Sequence, residues 1–269
     1  MNTAATRPPA VAGMFYPAAA TALAATVDAL LAAVPASASA EQPKAIIAPH
    51  AGYIYSGPAA AAAYAALAPW RQRIRRVALL GPCHRVAVHG IALPTAQAFA
   101  TPLGSIPLDL PALAALDELP PICRNDAAHA LEHSLEVHLP FLQRCLDDFT
   151  LIPLAVGHAA PEDVAAVLER LWGGGETLLV ISSDLSHYLP DATARQVDGD
   201  TCRRILALDA RIHPQQACGA YPINGLLLAA RHHGLKARLL AACNSGDTAG
   251  DRERVVGYAA FAFDPHDHE

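Results

Sequence analysis

The chain of 269 residues is 53% hydrophobic and 16% charged, which implies a large core and little disorder. A net charge of −6 without a basic cluster argues against nucleic-acid binding. No run approaches the ~18 to 20 apolar residues of a membrane span, and residues 1–10 carry one Arg with no apolar stretch after it, so no signal peptide is expected.

In chain order, an Ala/Leu helix is predicted over 19–34, followed by a Ser/Ala/Pro linker and the apolar run Ala45–Ile46–Ile47–Ala48. A helix over 57–67 ends before Pro69. Arg71, Arg73, Arg75 and Arg76 then close a helix end and lead into a strand over 77–81. A second strand follows at 90–93. The Pro-rich stretch 94–125 reads as loop with one short helix near 110–117. A helix over 139–146, a strand over 150–156 weakened by Pro153, and a helix over 161–171 come next. After a Gly-Gly-Gly turn come a strand at 177–182, helices at 193–208 and 222–233, and strands near 237–242 and 255–263. Without a repeat or a composition break, this βα alternation predicts one α/β domain, a three-layer α/β/α sandwich around a mostly parallel sheet.

The residues with chemical potential fall at the ends of the predicted strands. His50 in A-P-H-A-G-Y and His84 in G-P-C-H both follow apolar runs, and Asp184 and His187 follow a third in S-S-D-L-S-H. The carboxyl ends of parallel strands gather at one sheet edge, where α/β proteins bind ligands. Imidazoles fixed on separate strand ends suit a transition metal. His133, Glu136 and His138 in H-S-L-E-V-H lack the i, i+4 histidines of a zinc metalloprotease and suit a supporting cluster. Asp184 competes as a helix N-cap, while His187 suits a general acid/base. A Ser-centred triad is disfavoured, because no G-x-S-x-G is present.

Six cysteines without C-x-x-C spacing are read as reduced, cytoplasmic thiols. Cys218, just ahead of a helix expected to open at Pro222, should have a lowered pKa and suit metal or nucleophilic chemistry. Cys202 reads as core, and Cys243 is a rival in a polar loop with Asp247 and Asp251.

Taken together, A-P-H-A-G-Y-x-Y-S-G, L-G-P-C-H, H-S-L-E-V-H-L-P-F, S-S-D-L-S-H-Y and C-G-x-x-P-I resemble the Memo family, also called AmmeMemoRadiSam system protein B in bacteria and archaea. The opening R-P-P-A-V-A-G-M-F-Y-P extends the resemblance over essentially the whole chain. It implies a fold similar to LigB-type extradiol dioxygenases, with His50, His84 and Cys218 at the metal-ligand positions. His187 with Asp184 beside it would match the acid/base position, and His133, Glu136 and His138 would line or support the pocket. A thiolate in place of the dioxygenase carboxylate shifts the expected ion toward iron or copper, with zinc as a further option. Ring cleavage is therefore not carried over with the fold.

Where the Memo pattern often has a second histidine after G-P-S-H, this chain has Arg85, a cation at the expected site mouth. The first functional expectation is a mononuclear metal-dependent oxidoreductase. The others are a non-catalytic protein binding an anionic peptide or partner, and a zinc hydrolase. The family's company implies a radical-SAM protein and an AMMECR-domain protein as pathway partners.

Overall fold

The structure is a computed structural model and describes residues 5–35 and 41–265. Part of the Ser/Ala/Pro linker expected ahead of the first long strand lies outside them. The elements are β1 (Thr6–Arg7), α1 (Ala20–Ala32), β2 (Ala45–Ala48), α2 (Tyr53–Ala65), β3 (Arg76–Pro82), β4 (Ile91–Leu93), β5 (Ala98–Thr101) and β6 (Gly104–Pro107). Then come α3 (Leu110–Leu116), β7 (Ile122–Arg124), α4 (Ala127–Ala130), α5 (Leu139–Cys145), β8 (Thr150–Val156), α6 (Pro161–Leu171) and β9 (Thr177–Ser182). The chain ends with β10 (His187–Leu189), α7 (Asp191–Leu206), α8 (Ala220–His232), β11 (Lys236–Asn244) and β12 (Val255–Asp264).

The main sheet runs β10-β12-β2-β9-β3-β8-β4-β7, with β11 also paired to β12. Its centre, β2-β9-β3-β8, is parallel, and antiparallel pairs of β12 with β2 and of β4 with β8 flank it. These central strands are almost wholly buried, as their unbroken apolar runs require when both faces are covered. α2 packs on β2, β11 and β12 beside α1 and α5, while α8 packs on β3 and β9 beside α6. The result is the expected α/β/α layering.

Pro153 is tolerated inside β8 because β4 pairs only with Ala155 and Val156, so no ladder partner calls on the missing N–H. The stretch 94–125 is richer than the expected loop. Besides α3 it holds β7 at the edge of the main sheet and β5–β6, which join β1 in a three-stranded sheet. α2 begins at Tyr53 rather than 57 and carries Pro58 inside it. Its burial among α1, α5 and the sheet overrides the local cost of that proline.

Register fixes the functional edge. Ala48 pairs with Ser182, and Leu80 pairs with Ile181, so β2, β9 and β3 end level with one another. The turns bearing His50, His84 and Asp184 leave the sheet side by side.

Candidate metal centre

His50 leaves β2 with its side chain 2% exposed. Its Nδ1 lies 2.6 Å from the Ser182 hydroxyl, which itself donates to the Ser134 carbonyl at 2.6 Å. With its proton committed, that hydroxyl accepts from His50 Nδ1–H, which leaves the Nε2 lone pair facing outward.

His84 is fixed the same way by a carboxylate. Its ring Nδ1 donates to Glu132 Oε1 at 2.9 Å, and its backbone N–H donates to Oε2 at 2.6 Å. Glu132 also accepts the N–H groups of His133 and Ser134, both at 2.9 Å. Burial pushes this carboxyl up, but the His84 ring and the His84 and Ser134 amides outweigh it and hold it at about 2. An ionised carboxylate behind an imidazole sets its tautomer and orientation for a metal.

His133 completes the group. Its ring stacks on His84 at 4.6 Å and rests against Phe15 at 4.7 Å. One nitrogen from each of His50, His84 and His133 lies within 4.8 Å of the other two. Burial, reinforced by the neighbouring imidazoles, pushes His50 well below the usual histidine range; burial and His84 bring His133 to about 4. Both rings are therefore neutral donors at pH 7. The buried His133 Nδ1 makes no hydrogen bond but lies 3.3 Å from Glu132 Oε1, so the same carboxylate backs this ring as well. Three converging imidazoles, two of them backed by the Glu132 carboxylate, fit a transition metal.

Cys218 stands against this cluster, its Sγ 3.3 Å from His50 Nε2. Gly219 makes the approach possible, since a Cβ there would sit 2.5 Å from the Ser182 carbonyl oxygen. The expected acidic thiol is corrected: burial, aided by the Asp184 charge, raises its pKa despite hydrogen bonds to it. α8 starts at Ala220, and Pro222 lies within its first turn rather than opening it. The thiol is thus the resting form, and a bound cation would be needed to deprotonate it.

Asp184 caps no helix, because β10 follows it rather than a helix. Its carboxylate accepts the backbone N–H of His50 at 2.8 Å and that of Ala51. Burial lifts it to about 7 against these bonds. His187 opens β10 and lines, with His84 and Cys218, an open cavity of about 920 Å³ that also borders Gln196, Asp200 and Gln216. Burial also lowers the pKa of His187. Its neighbour Tyr188 holds φ at 58°, unusual for a non-glycine residue. Arg85 is exposed beside His84, and its charge lowers the pKa of His133.

The structure does not bring Glu136 or His138 into the cluster. Glu136 is fully buried and accepts from Arg7, from the amides of Ala10 and Val11, and from the Tyr16 hydroxyl at 2.5 Å. His138 is buried against Tyr64, whose hydroxyl lies 2.8 Å from its Nδ1. Cys202 is buried in α7 as expected, whereas Cys243 lies on β11 and shares a separate cavity with it. Sequence reasoning passed over Glu132 and Ser182. The signal for Glu132 was its place next to His133, passed over because Glu136 lies inside the H-S-L-E-V-H motif.

Comparison with known proteins places the chain by family and fold. The Memo-like protein family matches residues 7–262. A MEMO1 family protein of Archaeoglobus fulgidus is 34% identical over 96% of this chain and 99% of its own. One of Methanothermobacter thermautotrophicus is 36% identical over 94% and 98%. Among solved structures, an uncharacterized protein from Escherichia coli K12 superposes with a TM-score of 0.54 at 12% identity, covering 82% of this chain and 99% of that one. That likeness concerns the fold alone.

Proposed function

This chain belongs to the Memo family, and on that footing we propose that it is a metal-dependent oxidoreductase with one iron or copper ion at the histidine cluster. The observation that carries this reading is the convergence of three imidazole nitrogens within 4.8 Å of one another beside an open cavity. His50, His84 and His133 would hold the ion, and Cys218 would offer sulfur beside His50. Soft sulfur with imidazole suits copper or iron, and such an ion supplies Lewis acidity and one-electron chemistry when bound.

The remaining residues have separate tasks in this reading. Glu132 and Asp184 are positioning residues: the first orients the His84 ring, the second ties down the His50 turn. His187 is the proton carrier. It is neutral at pH 7 because of its burial and faces the cavity, so it can accept a proton from a molecule there.

The test is metal analysis of protein purified without oxygen. About one iron or copper per chain is expected, with loss in the His84→Ala, His133→Ala double variant. Full retention in that variant would remove these residues from the site. Metal-free protein that binds an anionic peptide through Arg85 would favour the binding-protein reading, and redox-silent zinc would favour hydrolysis.

A further inference from the structure

A second group of metal-type donors lies at the opposite edge of the sheet. Helices that return from the carboxyl ends of parallel strands finish near the amino ends, and α6 and α8 do so side by side. Glu169 lies near the end of α6, His232 is the last residue of α8, and His233 caps it. Consecutive residues diverge inside a helix, but here the helix stops between them and both rings reach one carboxylate. His232 Nδ1 is 3.1 Å from Glu169 Oε1, and His233 Nε2 is 2.8 Å from Oε2. One donor atom from each residue lies within 4.8 Å of the other two.

We propose that Glu169, His232 and His233 form a surface site for a divalent transition cation of the zinc(II) type, separate from the histidine cluster. Zinc bonds of ~2.0–2.1 Å in tetrahedral array set neighbouring donors ~3.3 Å apart. The two nitrogen–oxygen spacings of 3.1 and 2.8 Å lie just under this, and all three donors fall within 4.8 Å, so binding needs a modest rearrangement as nitrogen lone pairs replace N–H donation. One ligand is already held in place. The His233 ring lies flat on Trp172, with centroids 3.7 Å apart and planes at 10°. That shelf is itself anchored, because the buried Lys44 ammonium donates to the carbonyls of Trp172, Gly174 and Thr177. Two imidazoles and a carboxylate leave an open position for water, and the ion would clamp α6 to α8.

Zinc binding by equilibrium dialysis against a weak chelator tests this in the full chain. The His50→Ala, His84→Ala variant, crippled at the other cluster, should still bind about one zinc and unfold at a higher temperature in its presence. Adding His232→Ala and His233→Ala should abolish both effects. Trp172→Leu, which removes only the shelf, should weaken binding about tenfold, as loss of an orienting neighbour does. Because the chain ends in His266-Asp267-His268-Glu269, a His266→Ala, His268→Ala variant runs in parallel. Zinc retained without His232 and His233, or lost only with His266 and His268, would overturn the proposal. Circular dichroism confirms that each variant is folded.

Discussion

At the scale of single residues, Glu132 decides more about the cluster than any side chain outside the three clustered imidazoles. It spends four hydrogen bonds on the His84 ring and on the amides of His84, His133 and Ser134, joining the turn after β3 to the turn after α4 through one carboxylate. Glu132→Gln keeps the shape but removes the charge that makes His84 a strong donor. Metal affinity in chelator competition should fall 10- to 100-fold, by the rule for such outer partners, while the fold survives. Unchanged affinity would show that His84 does not bind the ion or needs no orientation. Asp184 does a similar task with the opposite electrostatics: burial outweighs the His50 and Ala51 amides and lifts it to about 7, whereas Glu132 is held at about 2.

At the scale of elements, the N-terminal segment is tied down by a buried charge rather than by its two-residue strand. Arg7 and Glu136 are 5% and 0% exposed, and the same carboxylate gathers Ala10, Val11 and Tyr16. Removing one partner of such a pair strands the other's charge. Glu136→Ala should therefore cost ~3–5 kcal/mol in urea unfolding, and a loss below ~1 kcal/mol would refute the staple.

The elements also show what the sequence could and could not reveal. The central strands and their level ends were legible because doubly buried strands must be unbroken apolar runs. The short strands β1, β5, β6, β7 and β10 were not, since two to four residues carry no readable period, and all but the β5–β6 hairpin pair with distant segments. His50 and His84 were legible at strand ends. His133 was visible as a residue but not as a member of their group, because its turn is irregular and three-dimensional closure alone brings it there.

At the scale of the whole molecule, several buried imidazoles must stay neutral. His129 donates Nε2–H to the Ala92 carbonyl at 2.9 Å, and its buried Nδ1 has no partner. Burial holds His129 at about 4 and His138 at about 3, against ~6.5 in the unfolded chain. Below ~6.5 the unfolded chain binds more protons, so these groups leave stability undiminished above that pH and erode it as pH falls toward 4. For His129 the full difference is on the order of 3 kcal/mol. Asp184, raised to about 7, and Asp198, also raised by burial, work the other way over the same window, but they are two carboxylates against His50, His129, His133 and His138. Urea midpoints should drop between pH 7.5 and 4.5, and His129→Gln should flatten the slope. Equal midpoints at both pH values would contradict this balance.

The strand order adds a consequence for how the protein is made. β2, which delivers His50, lies between β12 and β9, so both of its neighbours are synthesised long after it. While the ribosome is still working, the first half of the chain has no sheet in which to seat this strand. Contacts so distant in sequence are slow to form. The pocket is thus assembled near the end of synthesis, when the last strand arrives and the turns at the sheet edge come into line together.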